Sequence, residues 1–139
     1  MFLGKHPHGL DDKGRLVLPS SFRSGFKDGA VLAPWDGCIA MWTTERFKEV
    51  SQIMRVKLSE GGGEMGPLSV FFGECHQVKP DAQGRFVVPE SQRRYAGLER
   101  DAFIVGQLDR VEIWDRDRFA AFEETNRSKL AGMIKELRL

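Results

Sequence analysis

The sequence predicts a mainly β fold with helices, of the α+β class, built from two related halves. The first observation is a repeat: "DDKGRLVLPSSFR" (11–23) and "DAQGRFVVPESQR" (81–93) align without a gap at an offset of 70. The second is a match at an offset of 72 between residues 30–47 and residues 102–119. Units of about 45 residues rarely bury enough apolar surface alone. We therefore expect the halves to share one core about an approximate two-fold axis.

A turn and a short strand begin each unit. In "DDKG" and "DAQG", aspartate at the first position and glycine at the fourth are typical of a tight turn, because glycine reaches positive φ easily. The runs "RLVLP" and "RFVVP" favour strands that end at a proline, which cannot donate to a ladder. The polar segments that follow, "SSFRSGFKDG" and "ESQRRYAGLERD", are predicted to form an irregular or helical turn.

A strand pair and a helix complete each unit. The runs "AVLAP" and "CIAMW" flank the turn signal "PWDG", and "AFIVG" and "RVEIW" flank "QLD". Thr43 and Asp115 occupy the same repeat position and are good N-caps. Gly132 weakens the second helix by about 1 kcal/mol relative to alanine, so its last turns are expected to depend on a partner. The apolar residues at helical spacing are Phe47, Val50, Met54, Leu58, Phe119, Phe122, Leu130, Met133, Ile134 and Leu137.

This pattern divides the chain into four segments. The two β units are predicted at 5–47 and 76–119, and a helix with a glycine-rich connector occupies 48–75. A C-terminal helix is predicted at 120–139. Within the connector, "SEGGGEMGP" (59–67) is expected to be flexible, and "LSVFFGECHQV" fits either a strand or a short helix.

Composition and motifs exclude several classes of protein. No apolar run approaches the roughly 20 residues of a membrane span, and the first residues lack the apolar segment of a signal peptide, so a cytoplasmic protein is expected. Cys38 and Cys75 lack the spacing of a metal site, and neither a metal nor another cofactor is predicted. GxSxG, P-loop and GxGxxG motifs are missing, which predicts no enzyme and no small-molecule substrate. Trp42 and Trp114 end apolar strands and are expected in the core.

The duplicated aspartate and arginine are the main candidates for a functional site. They lie on opposite sides of each turn, so the carboxylate can orient the guanidinium. In one reading the ion pair only holds a hairpin together, although exposed ion pairs stabilise a fold little. In the other reading the aspartate presents the arginine to a phosphate or to a guanine edge. The residues leave both readings open. The net charge is only +1, so a polyanionic partner requires cations concentrated on one face.

The chain resembles the MraZ family of bacterial transcriptional regulators, whose units are related to the SpoVT/AbrB-type DNA-binding domain. The resemblance covers nearly the whole chain and rests on the duplicated Asp-x-x-Gly-Arg motif, each copy followed by an aliphatic run, a proline and a strand that ends in tryptophan. It implies a double-split, swapped-hairpin β-barrel. It also implies a ring-like homo-oligomer that binds double-stranded DNA at repeated promoter sites of the division and cell-wall gene cluster, in association with the nucleoid.

The resemblance also assigns DNA contact to the duplicated motif. The residues that it implies are Asp11, Arg15, Asp81 and Arg85, with Lys13 and Gln83 as helpers at the turn tips. Arg23, Arg93 and Arg94 are secondary candidates that either extend a basic face or remain solvated. One departure from the family is the segment at 59–67, which is glycine-rich and carries no base, where the family usually has a charged helical stretch.

A protein-interaction module, such as an antitoxin-like β-barrel, is the alternative to a DNA-binding regulator. Duplicated β units build such partner binders as well. The salt dependence of binding distinguishes the two, because log K for duplex DNA falls by about 0.9 per neutralised phosphate for each tenfold rise in salt.

Overall fold

The computed structural model describes residues 1–139, which form an α+β fold of eight strands and five α-helices. The first half contains β1 (Lys5–Gly9), β2 (Arg15–Val17), α1 (Ser20–Arg23), a 3-10 turn (Ser24–Phe26), β3 (Ala30–Trp35), β4 (Cys38–Thr43) and α2 (Thr44–Glu60). The second half contains α3 (Gly66–Glu74), β5 (His76–Val78), β6 (Arg85–Val87), α4 (Glu90–Ala96), β7 (Asp101–Gly106), β8 (Val111–Asp115) and α5 (Arg116–Leu137).

The two halves exchange strands. Six strands form an antiparallel sheet in the order β1-β7-β8-β4-β3-β5. In this sheet β1 of the first half pairs with β7 of the second, and β5 of the second half pairs with β3 of the first. The remaining strands, β2 and β6, pair with each other as a separate two-stranded ribbon. Because each half supplies strands that only the other half can pair, the two halves form one structural unit.

One apolar core joins the sheet, the ribbon and the short helices. Leu16 and Phe86 of the ribbon are buried in the same cluster as Leu32, Ile39 and Ile104 of the sheet. The prediction that both halves share one core is therefore confirmed. The ladder does not close on itself, since β1 and β5 are the two edges of the six-stranded sheet. The swapped-hairpin barrel implied by the resemblance thus stays a prediction.

Both predicted N-caps are confirmed. The Thr43 side chain accepts a hydrogen bond from the backbone N–H of Arg46, and the Asp115 side chain accepts one from that of Arg118, each at 3.0 Å. These caps start α2 and α5 at matching repeat positions. The connector is shorter than predicted because α2 continues to Glu60 and α3 already begins at Gly66. The segment of undecided structure is a helix, α3, followed by the strand β5.

The apolar face of α5 is covered only near the start of the helix. Phe119 in the first turns of α5 is buried, whereas Leu130, Met133, Ile134 and Leu137 are each about half exposed. The second half of α5 therefore carries an apolar stripe that this chain leaves uncovered.

Trp42 and Trp114 are both buried, as predicted. None of the helices combines the length and the apolar character needed to span a membrane.

Candidate nucleic-acid interface

The β2–β6 ribbon has one buried face and one exposed face. Leu16 and Phe86 are paired across the ribbon and point into the core. Because successive side chains of a strand alternate between faces, the residues on either side of this pair point outward. Arg15 lies opposite Val87, and Val17 lies opposite Arg85, so the two arginines are diagonal neighbours on one face.

The first turn holds Arg15 in place through Asp11. One carboxylate oxygen of Asp11 accepts hydrogen bonds from the backbone N–H groups of Lys13 and Arg15, both at 2.9 Å. The other oxygen accepts from Nε of Arg15. Gly14 closes the turn with a φ of +76°, and its N–H donates to the carbonyl of Asp11. The guanidinium is thereby oriented while its side chain remains 52% exposed.

The second turn repeats this geometry. Asp81 accepts from the backbone N–H groups of Gln83 and Arg85 at 2.9 Å, and from Nε of Arg85 at 2.7 Å. Gly84 has a φ of +82°. The predicted contact between aspartate and arginine across each turn is therefore confirmed in both halves. The side chains of Lys13 and Gln83 lie exposed at the two turn tips, at opposite ends of the ribbon, and only their backbone N–H groups bind the turn aspartates.

The hydrogen bonds of the turns lower the pKa of both aspartates. For Asp11 the largest cause is the backbone N–H of Arg15, helped by the Arg15 side chain and the N–H of Lys13. For Asp81 the largest cause is the backbone N–H of Arg85, followed by its side chain. Both carboxylates are consequently ionised at neutral pH and keep their arginines oriented.

Arg23 and Arg93 each support the turn of the opposite half. Nε of Arg93 donates to the carbonyl of Val88 at 3.0 Å, and a Cβ built on Gly14 would lie only 2.5 Å from that same Nε. Arg23 stands in the same relation to Gly84. Glycine is thus required at both turns for two reasons, the positive φ and the arginine packed against the backbone. The terminal nitrogens of both arginines make no hydrogen bond within the chain.

The remaining candidates are less closely connected with the ribbon. Arg94 pairs with Glu90 on the exposed side of α4, at 3.1 Å, and no hydrogen bond joins it to either turn. Cys38 is buried and Cys75 is half-buried. Burial raises the pKa of Cys75 to about 11, and burial, with help from Glu112, also raises the pKa of Cys38. Both cysteines are therefore protonated thiols at neutral pH, and the thiolate is the form that binds metals.

Sequence reasoning missed the two valines of the outer face. Val17 and Val87 lie opposite the arginines, and Val87 is 48% exposed. An exposed valine in a strand is ordinary in itself. Its place beside a fixed guanidinium depends on the register of β2 on β6, which joins residues 70 positions apart and has no local signal in the sequence.

The chain is similar to known proteins over nearly its whole length. A family model described as "MraZ protein, putative antitoxin-like" matches residues 1–61 and 71–135. The chain is 37% identical to the "Transcriptional regulator MraZ" of Clavibacter michiganensis over 138 residues, which cover 99% of this chain and 96% of that protein. It is 38% identical to the protein of the same name from Salinispora tropica, over 89% of this chain and 96% of the relative. The Paenarthrobacter aurescens relative, also of that name, is 36% identical over 96% of this chain and its own full length.

Proposed function

The chain belongs to the MraZ family of transcriptional regulators, and we propose that it binds specific sequences of duplex DNA through the outer face of the β2–β6 ribbon. In this role it is a non-enzymatic regulator that works at the chromosome. Its direct DNA contacts are assigned to Arg15 and Arg85, oriented by Asp11 and Asp81. Lys13 and Gln83 contribute from the turn tips.

The observation that carries this proposal is the shared face of the two oriented arginines. The major groove of B-DNA admits a two-stranded β-ribbon, and arginine binds the O6 and N7 edge of guanine with two hydrogen bonds. Diagonal neighbours on a ribbon are roughly 7–8 Å apart, which is comparable with two base-pair steps of about 3.4 Å. The valines between them offer the methyl groups that suit thymine.

A ring-like assembly would explain how a nearly neutral chain binds DNA usefully. A subunit with few phosphate contacts binds non-specifically with a Kd of roughly 10⁻⁴ to 10⁻⁶ M. Several subunits on repeated sites raise the avidity by roughly 10² to 10⁴. The uncovered stripe of α5 supports such assembly, because it adjoins a groove of about 630 Å³ whose apolar lining is Phe119, Phe122, Leu130 and Met133.

Three finer points of the proposal come from the family. The DNA sites are the repeated sites in the promoter of the division and cell-wall gene cluster. We assign the six-stranded sheet and the ribbon, which pack on one core, to the double-split, swapped-hairpin barrel that the resemblance implies. The units at 5–47 and 76–119 are the DNA-reading parts, which the helix and connector at 48–75 join and the C-terminal helix at 120–139 follows.

A protein-binding module is the second candidate function, and the uncovered apolar stripe of α5 favours it. The two candidates differ in their response to salt. Binding to a protein partner through an apolar stripe changes little with ionic strength, whereas DNA binding weakens steeply.

Footprinting on the DNA upstream of the chain's own gene tests the proposal, with native mass spectrometry of the same sample. We expect protection at regularly spaced repeats and an oligomer with one stoichiometry on the DNA. Protection that is uniform along the fragment, or equal on a shuffled sequence, contradicts sequence-specific binding.

A further inference from the structure

The surroundings of the two turns differ although the turns themselves match. Beside the second turn, a cleft of about 370 Å³ lies between the halves. One wall of the cleft consists of residues of the first half, and the opposite wall is the start of the second turn. The lining residues are Arg23, Ser24, Lys27, Lys79, Pro80, Asp81 and Ala82.

The cations of this cleft are available to a ligand. Lys27 and Lys79 are exposed, and neither forms an ion pair within the chain. Arg23 uses its Nε for the carbonyl of Leu18, which fixes the guanidinium and leaves the terminal nitrogens free. The only carboxylate in the lining, Asp81, already accepts three hydrogen bonds from the turn. The cleft therefore has an excess of positive charge aimed at solvent.

The first turn lacks cations at these flanking positions, and its own tip carries Lys13 next to Asp12 where the second turn has the neutral Gln83 and Ala82. At the repeat offset of 70, the counterparts of Lys27 and Lys79 are Gly97 and Gly9, and the counterpart of Ala82 is Asp12. Arg94 stands where the first half has Ser24, but it is paired with Glu90 of its own helix. A near-symmetric ribbon is thus flanked by an uneven distribution of charge.

We propose that Arg23, Lys27 and Lys79 form a phosphate-binding subsite for one backbone phosphate of the DNA that the ribbon contacts. This inference rests on the proposed function. Two like arginines about a pseudo-two-fold axis would fit a duplex almost equally well in either direction. A phosphate contact at the second turn alone favours one of these two directions. The subsite therefore sets the polarity of binding, which is the direction in which the ribbon lies along its DNA site.

The salt dependence of binding provides the first test. In the double variant Lys27→Ala, Lys79→Ala, the slope of log K against log salt should become shallower by about 0.9 for each subunit bound to the DNA, the change expected for one phosphate per subunit. The change should be equal on the upstream fragment and on a random duplex, because phosphate contacts carry no sequence information. The control Lys48→Ala, Lys57→Ala removes the same charge from two exposed, unpaired lysines of α2 and should keep the wild-type slope. A wild-type slope in the first double variant, or an equal loss in the control, overturns the subsite.

Ethylation interference provides the second test, because it maps each phosphate whose charge supports binding. The wild-type protein should show one additional sensitive phosphate on the same flank of each protected repeat, and the Lys27, Lys79 double variant should lose it. Interference that is symmetric about each repeat contradicts the polarity. Inorganic phosphate bound in the cleft while the DNA slope stays unchanged assigns the cleft to a free anion and overturns the proposal.

The same measurements separate this inference from the proposed function. If Arg15→Ala and Arg85→Ala weaken DNA binding while the double lysine variant does not, only the subsite fails. If none of these variants changes DNA binding, the proposed function fails first.

Discussion

The two halves are most alike where their chains turn and least alike just beside those turns. Both turns hold an arginine through an aspartate with the same set of hydrogen bonds, and both rest on an arginine from the opposite half. The flanking positions differ, with lysines near one turn and glycines near the other. The two halves thus share the geometry that holds the outward arginine, and they differ in the charged residues around it.

The buried face of the ribbon should be equally sensitive in both halves. Leu16→Ala and Phe86→Ala remove side chains that are paired across the ribbon and buried. We expect each to lower the free energy of unfolding by about 2–5 kcal/mol, measured by urea denaturation. Val87→Ala, on the exposed face, is the matched control and should lower it by less than about 1 kcal/mol. A ribbon that tolerates the first two changes is not part of the shared core.

The turn glycines should differ between the halves. A Cβ at Gly14 meets a backbone carbonyl oxygen, that of Val88 at 2.9 Å, as well as Arg93, whereas the three atoms nearest to a Cβ at Gly84, at 2.6–3.1 Å, all belong to the side chain of Arg23. We expect Gly14→Ala to cost about 2–4 kcal/mol in unfolding free energy and Gly84→Ala somewhat less.

Gly37→Ala is the control for these two variants. Gly37 has a comparable φ of +86° with no atom within 4 Å of its Cβ position. Gly37→Ala should lower the free energy of unfolding by only ~1–2 kcal/mol, which is the penalty for a residue with a Cβ in the left-handed conformation. Equal costs at all three glycines would show that the arginine packing adds nothing.

The outward arginines should affect DNA binding and leave the fold intact. Arg15→Ala and Arg85→Ala each remove one arginine from the exposed face, and we expect each to weaken binding to the upstream fragment by tens-fold, as one lost base contact would. Gel shift measures the loss, and light scattering should report an unchanged oligomer. A variant that unfolds or dissociates instead would assign the aspartate–arginine pair to holding the hairpin together.

The aspartates should respond to pH alike in both turns. Because the folded pKa of Asp11 and Asp81 is lowered, their contribution to stability is present above the unfolded pKa of about 3.9 and is lost as pH falls through the folded value. Carboxyl chemical shifts in an NMR titration should give midpoints below 3.9 for both. Midpoints at or above that value contradict the hydrogen-bonded geometry.

Removing one aspartate should affect specificity more than affinity. Asp11→Ala keeps the cation of Arg15 and loses its orientation. We expect the preference for the upstream fragment over a random duplex to fall more than the affinity for either, measured by competition gel shift. Equal losses on both duplexes would contradict an orienting role.

Local signals in the sequence predicted most of the elements. Caps at Thr43 and Asp115, the turn glycines and the strand pairs all lie within a few residues of the features that specify them. The open question at residues 68–78 arose because a short apolar run suits both a helix and a strand. The helix ending at Glu74 and the strand starting at His76 divide that run between them.

The pairing between the two halves was not predictable from such local signals. The register of β2 on β6 and the meeting of Lys27 with Lys79 depend on contacts between residues far apart in the chain. The aspartate–arginine contact, in contrast, spans four residues and was read directly from the motif. The parts of the site that lie within one turn were thus visible in the sequence, and the parts that join the halves were not.

The exchange of β1 and β5 has a consequence for how such a chain could originate. In a single unit of this kind the first strand has no partner strand, and the arginine of the short helix has no turn of another unit to pack against. Two identical copies of that unit would complete each other as the two halves do here, so an ancestral gene half as long could have encoded a functional homodimer. Fusion of two such genes into one would then free each copy to acquire its own flanking charges, which no symmetric pair can do.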